Sequence, residues 1–339
     1  MKISDIGEFG LIGLIRQWTA HQPGAKSLIL GIGDDAAAWQ TRSEVLLATT
    51  DTMVEGVHFL PGDAGSLGWK LMAANLSDLA AMGGQPQTAL VSLALPPTTE
   101  VSWVEELYRE MLAAAGEHGV ALVGGDTVSS PVAVLTVTLL GRAQGPDRIL
   151  RRSAARVGDL LAVTGFLGNS EGGLRVLKGL ANPGEDTALF LTAAHLRPKA
   201  RVAEGQALVA LGIRAAIDIS DGLLADAGHL CTESGVAATL EASSLPIHPC
   251  LRNAFPHECL QMAATGGEDY ELLFSAPAEL IEQSHKALSV PVTVIGRVES
   301  GPPGKVVLLG TDGSPVQLPR GGWEHFKPAP CPSRSATDQ

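Results

Sequence analysis

A chain of 339 residues with 45% hydrophobic and 18% charged side chains can bury a sizeable core and is long enough for two domains. Its formal net charge of −12 would repel a phosphate backbone, so a nucleic-acid partner is disfavoured. Cys231, Cys250, Cys259 and Cys331 form no Cys-x-x-Cys pair in a chain that needs no disulfide framework, and they read as reduced.

In chain order, the most apolar N-terminal stretch, Phe9 to Ile15, lies between Glu8 and Arg16. It is too short to span a bilayer and lacks a signal-peptide cleavage pattern, so no membrane partner is expected and a cytoplasmic location is. Val45 to Thr50, Thr88 to Leu95 and Val132 to Leu140 are β-branched or apolar runs of strand length. Leu67 to Met82 and Ser102 to Glu117 have helical length and period, with Ser102 as the expected cap and Glu105 completing a capping box. Ala143-Gln-Gly-Pro146 breaks this pattern, and Arg148, Arg151, Arg152 and Arg156 follow in an otherwise acidic chain. The domain boundary is placed there, giving residues 1–145, 146–327 and a polar, Pro-containing tail at 328–339 expected to be disordered.

The second half reads as strand Leu160 to Thr164, helices Asn169 to Leu180 and Arg201 to Leu211, strand Ala215 to Ile219 and helix Gly222 to Ser234. Strands near Tyr270 to Phe274 and Val292 to Val298 complete it. The order mixes helices and strands without a βαβ rhythm or a short internal repeat, which predicts an α+β architecture.

Acids recur after apolar strands or beside glycine: Gly31-Ile-Gly-Asp-Asp35, Thr49-Thr-Asp51, Gly124-Gly-Asp126, Asp218-Ile-Ser-Asp221-Gly222 and Gly266-Gly-Glu268-Asp269. Any one of these is an ordinary turn, since Gly and Asp are turn residues. Their repetition points to a site, because strand ends carry function and glycine leaves a neighbouring carboxylate uncovered. The helix Leu67 to Met82 adds Asp78, which shares a face with Asn75 one turn away. From Leu71 to Gly84 its only polar side chains are Asn75, Ser77 and Asp78. An unpaired carboxylate there would cost several kcal/mol, so Asp78 requires a cap, a cation or a metal.

If Asp35, Asp51, Asp78, Asp126, Asp218 and Asp221 converge, their repulsion calls for cations. Hard oxygen ligands without clustered His or Cys suit magnesium, which binds through carboxylates and substrate phosphates. Phosphoryl-transfer enzymes are built this way, with Lys70, Arg142, Arg148, Arg151 and Arg152 available to clamp phosphate oxygens. No Gly-x-x-x-x-Gly-Lys-Ser/Thr loop, protein-kinase signature or Gly-x-Gly-x-x-Gly fingerprint occurs, so a nucleotide enzyme here must use another fold.

Taken in order, these motifs resemble the thiamine-monophosphate kinase family, part of the superfamily of aminoimidazole ribonucleotide synthetase. The resemblance runs from Gly7-Glu-Phe-Gly-Leu-Ile12 to Gly322-Trp-Glu-His-Phe326 and includes Thr50-Asp-Thr-Met-Val-Glu-Gly-Val-His-Phe59, Asn75-Leu-Ser-Asp-Leu-Ala-Ala-Met-Gly83 and Arg197-Pro198. It implies a two-domain fold, a homodimer that pairs N-terminal sheets, and direct in-line transfer from ATP to thiamine monophosphate with magnesium. Asp35, Thr49, Thr50, Asp51, Asp78, Asp126, Asp218 and Asp221 match the family's metal positions, and Asp51, Asp126 and Asp221 would be central to catalysis. Gly125, Asp126, Arg152 and Ser220 match ATP contacts, with Tyr108 beside adenine. His58, Glu268 and Trp323 match contacts to thiamine monophosphate, where an indole face suits a cationic thiazolium. The reactive-cysteine signatures of selenophosphate synthetases and of the hydrogenase-maturation enzyme do not occur. Without turnover, the same acids would make a metal or nucleotide sensor.

Overall fold

Alternation along the first strands decides which side is buried. In a computed structural model that describes residues 3–19, 28–41, 44–59 and 64–318, helix α1 (Ile3–Thr19) precedes β1 (Leu28–Leu30), β2 (Ala37–Gln40) and β3 (Val45–Val54). Helix α2 (Ala64–Ala81), β4 (Gln85–Leu95), α3 (Val101–Glu117), β5 (Ala121–Ser129) and β6 (Val134–Ala143) follow. The six strands order as β1-β2-β3-β6-β4-β5, with β4 and β5 parallel across α3 and the remaining pairs antiparallel.

Val45, Leu47 and Met53 of β3, Leu135, Val137 and Leu139 of β6, and Ala89, Val91 and Leu93 of β4 point to one buried face, which α2 covers. The opposite face carries Thr50, Thr52, Thr136, Thr138, Leu90 and Ser92, joined by the Thr50–Thr138 and Thr52–Thr136 hydroxyl contacts at 3.1 and 2.9 Å. No described helix lies on that face, and β5 beside it is exposed along nearly its whole length.

The second half contains β7 (Leu160–Thr164), α4 (Asn169–Leu177), α5 (Glu185–Leu196), α6 (Val202–Leu211), β8 (Ala215–Asp218), α7 (Leu223–Ser234) and β9 (Ala237–Glu241). It continues through α8 (Pro249–Ala254), α9 (Cys259–Thr265), β10 (Leu272–Ala276), α10 (Ala278–Ala287), β11 (Val292–Glu299) and β12 (Val306–Leu309). Its sheet orders as β12-β9-β11-β7-β10-β8 and is antiparallel except for β12 on β9. β8 and β10 are buried throughout, because one face packs toward α7 and the other joins the core built on α2.

Helix α2 is therefore walled on both sides, which explains an apolar sequence with no solvent stripe. Leu71, Met72, Leu76 and Leu79 are at most 1% exposed. Burial of this kind stabilises by roughly 1.5–3 kcal/mol per large side chain. Several expected elements fall close to those observed, and the architecture is α+β as read from the sequence. The expected cap of α3 does not: the extended backbone at Glu100 places the N-cap there, Ser102 lies within the first turn, and no side chain caps the helix. The tail expected at 328–339 lies outside the described residues.

Gly68 lets α2 and α3 touch, since a Cβ added there would lie 2.1 Å from the Leu107 carbonyl oxygen. We predict that Gly68→Ala lowers stability by about 1–3 kcal/mol through overpacking. Gly116→Ala, at an exposed α3 position with open space around it, should be neutral or slightly stabilising. Thermal denaturation of the two variants checks the contrast.

Candidate active site

Burial of α2 makes its polar groups depend on neighbouring elements: Ser77 and Asp78 find partners in both halves of the chain, whereas Asn75 Nδ2 donates to the Leu71 carbonyl of its own helix and Asn75 Oδ1 is left without a partner among the described residues. The Thr49 hydroxyl on β3 donates to Asp78 Oδ2, and the Ser77 hydroxyl donates to Asp218 Oδ2 at 2.7 Å. Asp218 ends β8, and Asp35 lies in the loop before β2. Single carboxylate oxygens of Asp35, Asp78 and Asp218 all come within 4.8 Å of one another. Asp51 shares the face of β3 that carries Thr49 and forms a side-chain hydrogen bond with Asp78.

Such crowding disfavours ionisation. Desolvation raises the Asp51 carboxyl to about 6 despite that hydrogen bond. Asp78 is pushed well above the usual carboxylate range by desolvation and then by the charges of Asp51, Asp218 and Asp35. Asp218 moves the same way, through desolvation and the charge of Asp35. Asp34 rises to about 7 through desolvation and its neighbour Asp35, although the backbone N–H groups of Arg152 and Asp35 donate to it. Among the described residues one cation answers this cluster directly: Arg152 donates to Asp35 Oδ1 at 2.6 Å. Burial alone would lower the Arg152 pKa, yet Asp35 and the other acids raise it.

The donor set suits a hard divalent cation. Asp35 Oδ2 is buried and has no hydrogen-bond partner among the described residues, and all three oxygens are carboxylate oxygens. Asp35, Asp78 and Asp218 are the residues that would hold such an ion, with Asp51 adjoining.

Asp221 belongs to a second group with Asp226 and His229. The buried Asp226 Oδ2 accepts from the backbone N–H groups of Asp221 and Gly222 at 3.1 and 3.0 Å, fixing the turn that carries Asp221. Ser220, in the same turn, accepts the Glu268 backbone N–H at 2.8 Å through its carbonyl. Glu268 and Tyr270 have φ of 63° and 52°, a left-handed conformation that costs of order 1 kcal/mol or more for residues other than glycine. Pairing of the Tyr270 N–H with the Ile219 carbonyl holds that turn against the Asp218 loop. The Tyr270 hydroxyl is kept protonated by burial and by the charges of Glu268, Asp51, Asp218 and Asp78.

Not every residue marked in the sequence joins the cluster within one chain. Thr50 faces the open side of the sheet, donating to the Val137 carbonyl. Asp126 lies on exposed β5 and accepts the Thr127 N–H; it pairs with Ser92, three strands across the sheet from β3 and roughly 14 Å away at the usual strand spacing. Gly125 precedes it with φ 156°, where a Cβ would strike the Val91 carbonyl. Tyr108 is half-buried on α3 against the first core. His58 Nδ1 accepts the Val54 N–H at 3.0 Å, so its ring proton sits on Nε2. Trp323 lies outside the described residues. Of the other candidate cations, Arg142 pairs with Glu44 and Arg151 donates to the Pro146 carbonyl. Asp34, Ser77, Asp226 and Tyr270 were not singled out from the sequence as site residues. Asp34 and Ser77 stood inside marked motifs and Tyr270 follows Asp269 of another, whereas Asp226 had no signal beyond lying close to one.

The model for AIR synthase related protein matches this architecture, its N-terminal domain at residues 33–143 and its C-terminal domain at residues 156–309. The thiamine-monophosphate kinase of Haemophilus influenzae (strain ATCC 51907 / DSM 11121 / KW20 / Rd) is 38% identical over 330 residues, covering 95% of this chain and 98% of that protein. The Aquifex aeolicus (strain VF5) enzyme of the same name is 38% identical over 330 residues, with 96% and 100% covered. A solved structure of AaThiL complexed with AMPPCP and TMP has a TM-score of 0.83 at 37% identity, covering 96% of this chain and 99% of that one. This chain belongs to the thiamine-monophosphate kinase family.

The acids predict an inverted pH dependence. An unfolded aspartate ionises near 3.8, whereas Asp51 holds its proton to about 6 when folded, and burial and neighbouring charge raise Asp78 and Asp218 in the same direction. The cation-free folded state therefore binds more protons than the unfolded one, and these groups' stabilising contribution is lost as pH rises through and beyond that window. With EDTA present, melting temperature should fall between mildly acidic and mildly alkaline pH. Millimolar magnesium should raise it more at the alkaline end, which differential scanning fluorimetry measures.

Proposed function

We propose that this chain transfers the γ-phosphoryl group of ATP to the phosphate of thiamine monophosphate, giving thiamine diphosphate and ADP. The observation that carries this reading is the convergence of Asp35, Asp78 and Asp218 from three separate segments around one point, within a family whose members are named for that activity. The solved relative bound to AMPPCP and TMP supports both substrates.

The reading assigns magnesium to Asp35, Asp51, Asp78 and Asp218, with Thr49 orienting Asp78 and Asp221 adjoining through the next turn. Bound there, magnesium would neutralise phosphate charge and let two anions approach. The chain's own groups bind and orient. Arg152, anchored on Asp35, directs a guanidinium toward ATP, and the Ser220 turn abuts it. His58 offers its Nε2–H and Glu268 its carboxylate to thiamine monophosphate. The substrate's phosphate oxygen attacks the γ-phosphorus in line, the bond to the bridging oxygen of ADP breaks, and ADP leaves with that electron pair. No strong protein base is required, because a phosphate monoester has its second pKa at about 6 and is largely ionised at neutral pH.

The reading includes a homodimer. The uncovered sheet face and exposed β5 edge, where Val123 and Val128 are 59% and 52% exposed, are surfaces a second copy would cover. Thr50, Gly125 and Asp126 lie on that side, so their assigned roles are exercised where two copies meet. A cytoplasmic location accords with ATP as a substrate. No described helix is long and apolar enough to cross a membrane.

A coupled ADP-release assay offering thiamine monophosphate, thiamine and aminoimidazole ribonucleotide precursors tests the reaction. Turnover should require the monophosphate, and ADP release independent of it would overturn the assignment. Asp51→Ala should lower kcat by about 100-fold or more, the scale of removing a principal charge-stabilising group, whereas His58→Ala should chiefly raise KM for thiamine monophosphate. Val123→Lys combined with Val128→Lys should shift the protein toward monomer in sedimentation velocity.

A further inference from the structure

Helix α2 sends a second charge toward the other half of the chain, on the residue two turns before Ser77. The Lys70 side chain is only 7% exposed, and its ammonium donates to Glu268 Oε2 at 2.9 Å. On its other side it meets His195 Nε2 at 3.1 Å, and His195 Nδ1 lies 3.0 Å from the Ser170 hydroxyl. Burial and the Lys70 charge lower the His195 pKa to about 4, so the ring is neutral at pH 7. Nε2 therefore accepts from Lys70, and Nδ1–H donates to Ser170. Ser170 in turn donates its backbone N–H to Asp269 Oδ1 at 3.1 Å, while Gly168 N–H donates to Asp269 Oδ2 at 2.6 Å.

The contacts form a closed loop. Consecutive acids of one motif are anchored at its two ends, Asp269 on the start of α4 and Glu268 on α2 through His195 and Lys70. Between them the backbone sits at φ 63°, and about 31% of the Glu268 side chain remains accessible. An ammonium is a costly group to bury, and two of its three N–H groups are taken by Glu268 and His195. With the side chain only 7% exposed, Glu268 is the partner through which it can act on a ligand.

We propose that Lys70 is a positioning residue for thiamine monophosphate: it fixes one oxygen of Glu268 and leaves the rest of that carboxylate oriented toward the cationic, N–H-bearing part of the substrate. The inference rests on the reading of Glu268 as a substrate contact. A free carboxylate on a strained loop would lose rotamer entropy on each binding event, whereas one held in advance does not. The Lys70 contact bears on the Glu268 carboxylate, whereas the Ser220 turn assigned to ATP meets the Glu268 backbone and Arg152 is anchored on Asp35, so the consequence falls on thiamine monophosphate more than on ATP.

Steady-state kinetics of the full chain, varying each substrate at saturation of the other, test this. Lys70→Met should raise KM for thiamine monophosphate by about ten-fold or more, with KM for ATP changed less than about two-fold. Lys70→Arg, which keeps the charge, should restore most of the affinity. Lys70→Met together with Glu268→Gln should be no worse than Glu268→Gln alone. A folded Lys70→Met enzyme with unchanged KM for thiamine monophosphate, or with both KM values raised equally, overturns the proposal. If Glu268→Gln raises that KM and Lys70→Met does not, only the Lys70 inference fails. If Glu268→Gln changes nothing, the reading of Glu268 fails and the inference with it. Should Lys70→Met not fold, His195→Gln is the second variant: a selective but smaller rise in KM for thiamine monophosphate supports the proposal, and no change overturns it.

Discussion

A helix enclosed on every side can carry ionisable groups only if each is met by a partner, and α2 is such a helix. Its apolar residues weld two sheets together, which is an ordinary use of burial. Its few polar residues cannot reach water, so the elements packed around it had to supply hydroxyls, carboxylates and a strained loop at matching heights. Thr49, Asp51, Asp218, Glu268 and His195 come from four places in the chain, yet each is next to α2 or one contact removed. The site is the set of answers to that single burial problem.

The same reasoning separates two kinds of acid. Asp78 and Asp218, which converge with Asp35, are crowded enough that their ionisation is opposed, a repulsion that a bound cation would relieve. Asp226 and Glu271 are also buried but are consumed internally: Asp226 by backbone N–H groups, and Glu271 by Arg201 at 2.6 and 2.5 Å and by the Thr164 hydroxyl at 2.7 Å. Among the converging acids, Asp78 and Asp218 each accept from a hydroxyl, and Asp35 Oδ2 is left without a hydrogen-bond partner among the described residues.

Much of this was legible before any coordinates. Strand β7 was read with its observed limits because Leu160 to Thr164 is a short apolar run bounded by turn residues, and Asp78 was marked because a carboxylate on an apolar helix demands explanation. Strand β5 was missed, since Ala121-Leu-Val-Gly-Gly-Asp-Thr-Val-Ser129 is glycine-broken and lacks the apolar alternation that burial would impose. Helix α5 was missed because its apolar positions do not gather on one face. The network around Lys70 was beyond reach for a different reason: Lys70 and Glu268 are 198 residues apart, and nothing in either segment names the other. Ser102 failed as a cap because Glu100 already begins the helix, a shift within the usual uncertainty of helix ends.

Placing α2 between the sheets also fixes how the polypeptide is assembled. Helix α2 belongs to the first half of the chain, but it forms one wall for Ala216, Leu272 and Phe274 of the second. On that side the second half's own α6 and α10 supply part of the apolar cover, and the earlier-synthesised helix completes it. Severed at the connection after β6, the later fragment would expose a greasy sheet face, and the earlier one a naked greasy helix. The two halves are therefore obliged to mature together, as one cooperative folding unit and not as separable modules.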